Sequence, residues 1–136
     1  MKINRTELIK KLFDFAQTGS GVLIGKPGVG KSYSLSELSD FCLVNDIPSL
    51  VIRIDQMLTG SDTEIQEALG LEEDWIISLQ AAIPPNGKKG VLIFDAFDAA
   101  RDEDLKKNFL TQIRKAKIKL ENSWNIIAVS YTHLRA

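Results

Sequence analysis

GKPGVGKS, at Gly25, Lys26, Pro27, Gly28, Val29, Gly30, Lys31 and Ser32, fits the spacing G-x-x-x-x-G-K-[S/T] at every fixed position. The spacing has a chemical reason. Gly28 and Gly30 let the backbone curl so that successive N–H groups point inward at phosphate oxygens, an approach no side chain can match. Lys31 is then expected to reach the β- and γ-phosphates as a point charge and Ser32 to ligate Mg²⁺. The helix that starts there offers the positive end of its dipole. The expected nucleotide-contacting set is residues 25–33, with Tyr33 the last of them. Chance alone produces such a match in about one chain of this length in a hundred or fewer.

The flanks support this phosphate-binding loop, known as Walker A. Residues 21–24 (GVLI) read as a short buried strand and residues 31–45 as a helix whose apolar face holds Leu35, Leu38, Phe41 and Cys42. Upstream, Asn4 and Glu7 have the spacing of a capping box. Leu8, Leu12, Phe15 and Ala16 follow at helical intervals up to Gly19. This first helix is read as a packing helix in preference to an adenine-covering segment.

Downstream, Asp46-Ile47-Pro48 breaks the second helix and residues 49–54 (SLVIRI) read as another buried strand. Asp55 stands at its end, either ordering a ligand crevice or capping the next turn. Short helices are expected around Ile65, Ala68 and Leu69 and over residues 72–82, where Trp75, Ile76 and Leu79 face a core. Pro84 and Pro85 end them. Residues 90–95 (GVLIFD) are a strand that is apolar until its final acid, the Walker B pattern at residues 91–95. Asp95 is expected to hold the Mg²⁺ shell and Asp98, three residues on, to orient an attacking water. A long helix over residues 102–121 follows, with Leu105, Phe109, Ile113, Ala116 and Leu120 inward and its lysines on a solvated face. A last strand starts at Trp124 and is expected to reach Ala128.

Length and charge narrow the classes. The chain has 136 residues and a net charge of −1, so it is one domain or part of one and carries no electrostatic footprint for nucleic acid. The single cysteine excludes a disulfide framework and a thiolate zinc site. No apolar run suits a membrane span, and the charged start does not suit a secretory leader. The cytoplasm is the expected compartment.

Residues 129–136 (VSYTHLRA) read differently. Back-translated as GTC TCT TAT ACA CAT CTC CGA GCC, they resemble read-through of a transposase-type sequencing adapter. They are expected to be a non-native tail, so His133 and Arg135 are given no role.

GKPGVGKS together with VLIFDAFDAARDED resembles the P-loop ATPases of the additional-strand class, and within it the signal-transduction ATPases with numerous domains (STAND), including NACHT-like members. Asp98 matches the second acid of that family pattern. Ala96 departs from typical AAA+ machines, which carry an acid there. NACHT proteins usually have Gly at the position of Ala96 and an acid at that of Ala99. The resemblance implies a three-layer α/β P-loop NTPase sandwich with a mostly parallel sheet. In it the last strand lies between the loop strand and the Walker B strand, with a fifth strand beyond the loop strand. Residues 1–128 are therefore expected to be a partial domain, truncated before that fifth strand and inactive alone. The implied cofactors are ATP and Mg²⁺, with Lys31 and Asp98 catalytic and Ser32 and Asp95 at the metal. The implied partners are downstream domains and an effector, in a parent able to oligomerise. The implied role is the nucleotide switch or slow ATPase of a signalling or defence protein. The alternatives are a motor-type AAA+ ATPase such as a helicase loader and, third, a small-molecule kinase. A GTPase is disfavoured because the chain has no N-K-x-D guanine-reading motif.

Overall fold

The computed structural model describes residues 5–24, 31–82, 84, 87–95 and 103–130, without the side chains of residues 5–9, 11–12, 22–24, 31–36 and 130. The chain alternates helix and strand. The elements are α1 (Arg5–Thr18), β1 (Gly21–Ile24), α2 (Lys31–Val44), β2 (Ser49–Arg53), a 3₁₀ turn (Ile54–Gln56), α3 (Asp62–Ala68), α4 (Trp75–Ala81), β3 (Gly90–Asp95), α5 (Glu103–Lys119) and β4 (Trp124–Ser130). The four strands form one parallel sheet in the order β1-β4-β3-β2. As the resemblance implies, β4 lies between the loop strand and β3.

Alternation along each strand divides the core in two. Ile52, Leu92, Phe94, Trp124 and Ile126 pack against α3, α4 and α5, while Val91, Ile93, Ile127 and Val129 pack against α1 and α2. Every residue of β3 is buried, which is why its sequence is an unbroken apolar run and not an alternating one. Helices on both faces of a parallel sheet make the three-layer sandwich.

Several boundaries differ from the sequence reading for local reasons. The strand expected over residues 49–54 stops at Arg53, where Ile54 begins a 3₁₀ turn and Asp55 is left exposed. The helix expected from residue 72 starts at Trp75, because the Asp74 carboxylate accepts from the N–H groups of Ile76 and Ile77 and so sets the N-terminus there. In α1 the core-facing aromatic is Phe13, edge-on to Phe41 at 5.0 Å, while Phe15 is 38% exposed and lays its ring over Gly21. The capping box at Asn4 and Glu7 lies outside the described residues. Strand β4 runs past Ala128 through Val129, which is buried, to Ser130. Residues 131–136 lie outside the described residues. Cys42 is buried as expected. Burial pushes its thiol up to about 11 against the opposing effect of a hydrogen bond with Ser49.

Polar groups fasten the layers. Asn125, buried on the α1 side of β4, donates to the carbonyl of Ala16 (2.6 Å), and the Gln17 amide exchanges two hydrogen bonds with the Lys89 backbone. On the other face the Trp124 indole donates to the Leu79 carbonyl (2.8 Å) while its ring lies over Gly90. A Cβ on residue 90 would come within 2.7 Å of that ring.

Gly90→Ala is therefore expected to destabilise the fold by about 1–3 kcal/mol, the range for overpacking a filled core. Urea unfolding checks this. An unchanged midpoint would mean that the Trp124 ring is not fixed against the start of β3.

Candidate functional site

In a parallel α/β sheet the carboxyl ends of the strands share one side, and ligands sit in the crevice there. β1 ends at Ile24, and α2 begins at Lys31. The strand and helix that a phosphate-binding loop requires thus flank residues 25–30, which themselves lie outside the described residues. Lys31, Ser32 and Tyr33 form the first turn of α2, and their side chains also lie outside the description. Asp98 lies outside the described residues as well.

Asp95 is described fully. It ends β3 and is 3% exposed. Because Phe94 faces α5, the neighbouring Asp95 points to the opposite face, the one α2 covers together with Val91 and Ile93. The register pairs Phe94 with Ala128, and Leu23 with Val129. Asp95 therefore stands level with Val129 of β4 and Leu23 of β1. With one strand between them, the Asp95 and Leu23 backbones are about 9–10 Å apart. The carboxylate thus lies on the side of α2 and across one strand from the end of β1.

Two residues at this edge escaped the sequence reading. Arg53 pairs in register with Asp95 and so lies beside it on the same face. Strand-to-strand register carries no local sequence signal that could have placed it there. Ser130, assigned to the tail, ends β4 beside Ile24, the last residue before the loop. Among the described residues no group of three or more His, Cys, Asp or Glu side chains is arranged to hold a metal ion. Among them too, no helix is long and apolar enough to cross a membrane.

No family model matches the chain, and neither does any curated protein. Among solved structures, the Drosophila ORC bound to DNA aligns with a TM-score of 0.54 at 17% identity, over 94% of this chain and 37% of that one. Thermotoga maritima RuvB, a Holliday junction branch migration motor, aligns with a TM-score of 0.47 at 14% identity, over 92% of this chain and 38% of that one. The likeness to the first supports the P-loop NTPase fold. The chain spans well under half the length of either structure.

Beyond β2, residues 57–61 lead into α3 and are tied to α5, the helix that follows residues 96–102. Asn108 donates to the Thr59 carbonyl and Gln112 to that of Gly60. The Glu64 carboxylate closes this loop by accepting from the N–H groups of Leu58, Thr59 and Gly60 at 2.7, 3.0 and 2.8 Å. Partial burial acts to raise its pKa, but these hydrogen bonds together outweigh it and hold the carboxyl below the usual glutamate range.

A depressed folded pKa contributes stability that is present above the unfolded value of about 4.3 and lost as pH falls through the folded value. Glu64→Gln should therefore flatten the loss of stability below about pH 4.3. Urea midpoints from neutral to acid pH test this, and identical acid profiles for variant and wild type would contradict it.

Proposed function

We propose that the chain binds ATP with Mg²⁺ through residues 25–33 and Asp95, as the nucleotide switch or slow ATPase of a larger signalling or defence protein. The observation that carries this reading is a buried carboxylate at the end of β3, facing the α2 side and one strand removed from the strand that enters GKPGVGKS. A gap of that size suits a phosphate group and a hydrated Mg²⁺, which keeps several waters and takes few protein ligands. The donor set fits such an ion: the Ser32 hydroxyl would be a hard oxygen ligand, and the Asp95 carboxylate would accept a hydrogen bond from a water of its shell. Bound there, Mg²⁺ would neutralise developing charge on the phosphates.

Each residue then has its own task. The amides of residues 25–30 cradle the phosphates and Lys31 adds a mobile positive charge. Asp98 accepts a hydrogen bond from the attacking water and orients it. Ala96 supports the switch class over the motor class, since the position that carries an acid in motor-type AAA+ proteins cannot act as a base here. Residues 1–128 are read as part of the nucleotide domain and residues 129–136 as a non-native tail, whose first two residues, Val129 and Ser130, nonetheless continue β4.

Lys31→Ala should weaken MgATP binding about 10- to 100-fold, the loss expected for a charge-assisted hydrogen bond, while adenosine binding changes little. Calorimetric titration with both ligands tests this, and equal losses would remove Lys31 from the phosphates. Asp95→Asn should abolish the Mg²⁺ dependence of ATP affinity. Asp98→Asn should leave affinity within about threefold and suppress phosphate release in the longer parent protein. Unchanged turnover in that variant would move the water-orienting role to another residue, with Glu103 the candidate.

A further inference from the structure

A cavity of about 450 Å³ opens at the end of the sheet away from the crevice. Its walls come from both layers: Asp40 and Leu43 of α2 from one face, Ser78 and Leu79 of α4 from the other, with Ser49 and Leu50 of β2 between them. A hollow lined from both faces of a sheet wraps around the sheet's edge, and β2 is that edge.

The edge has hydrogen-bonding capacity to offer. The Val91 N–H donates to the Pro48 carbonyl, so in a parallel ladder the alternate residues Leu50 and Ile52 also turn their backbone groups to β3. Those of Ser49 and Val51 turn outward, and no described backbone group pairs with them, whereas the Arg53 carbonyl caps the 3₁₀ turn that follows. Beside them Leu43 and Val44 stand 74% and 82% exposed at the end of α2. Residues 37–50 and 71–82, which supply most of the lining, contain six acids and no lysine or arginine. Asp40, Asp46, Glu72 and Glu73 are exposed among them. An apolar floor, an acidic rim and an open strand edge together specify one kind of occupant.

We propose that this hollow takes an extended peptide segment of alternating basic and aliphatic residues, added as a further strand on β2. Main-chain hydrogen bonds to Ser49 and Val51 provide affinity. Aliphatic side chains enter the cavity, and basic ones meet the acidic rim. A second copy of this chain fits poorly, because pairing two β2 edges brings the two acidic rims together. The proposal is independent of the nucleotide reading, since the cavity lies at the opposite ends of the strands.

The test uses the whole chain and fluorescein-labelled Lys-Val-Lys-Val-Lys-Val, read by anisotropy. Binding is expected to fall about tenfold or more for Glu-Val-Glu-Val-Glu-Val and for the lysine peptide N-methylated at every residue. The exposed-site double variant Asp40→Lys with Glu72→Lys should weaken the lysine peptide at least about fivefold. Leu43→Asp should also weaken it. Bound peptide should slow hydrogen exchange at the amides of Ser49 and Val51, a readout that needs no variant to fold. The proposal is overturned by absence of binding at about 1 mM peptide, far weaker than motif recognition requires. It is equally overturned by equal affinity for the acidic peptide, by retention of anilinonaphthalene sulfonate without peptide binding, or by amide protection that rises with protein concentration alone.

Discussion

Strand β3 has no exposed face, and the rest of the molecule is arranged to make that tolerable. A buried strand must satisfy its backbone on both edges, which β2 and β4 do, and must cover both rows of side chains, which requires a helical layer on each side. Phe94 is enclosed by Trp75 and Phe109, both edge-on at 6.4 and 6.2 Å. On the opposite face Val91 and Ile93 lie under α1 and α2. The crossovers that deliver those layers force all four strands to run in one direction. Consequently every strand ends on the same side, and the one acid of β3 emerges where the chain from β1 turns into α2. Burial at the start of β3 thus supports chemistry at its end.

The aromatic side of the sandwich is secured by polar contacts that suit its loops. Asp62 accepts from the Trp75 indole at 2.8 Å and pairs with Lys115 at 2.6 Å, while the Lys115 ammonium also sits 5.7 Å from the Trp75 ring centroid. The pair is partly exposed, so its main effect is orientation of Trp75 rather than a large contribution to stability. Together with the Glu64 loop closure it holds α3 against α5. That ties the segment after β2 to α5, the helix that follows residues 96–102.

Much of this fold was legible because buried parallel strands announce themselves as apolar runs with turn residues at each end. β3 has the limits its sequence suggested, and the loop motif falls between a strand and a helix as its chemistry requires. The first helix was less legible. Leu12 and Ala16 allow the apolar face to extend on one side to Phe13 or on the other to Phe15, which lie about 160° apart around the helix, and the contact with Phe41 selects Phe13. The start of α4 depended on an Asp74 side chain that a periodic pattern ignores. At the site, Asp95 was readable as the acid ending an apolar strand. Its proximity to Arg53 and the placement of Ser130 beside Ile24 depend on register, which arises only when separate strands pair.

The central claim is that the carboxylate of β3 and the loop after β1 enclose one MgATP. A crystal structure of the chain with Mg²⁺ and a non-hydrolysable ATP analogue tests it most directly. The account predicts the β- and γ-phosphates at the N-terminus of α2, with the metal on the Ser32 hydroxyl and about 4–5 Å from the Asp95 carboxylate through a shared water. Nucleotide bound elsewhere, or a metal ion beyond the reach of one water from Asp95, would contradict it.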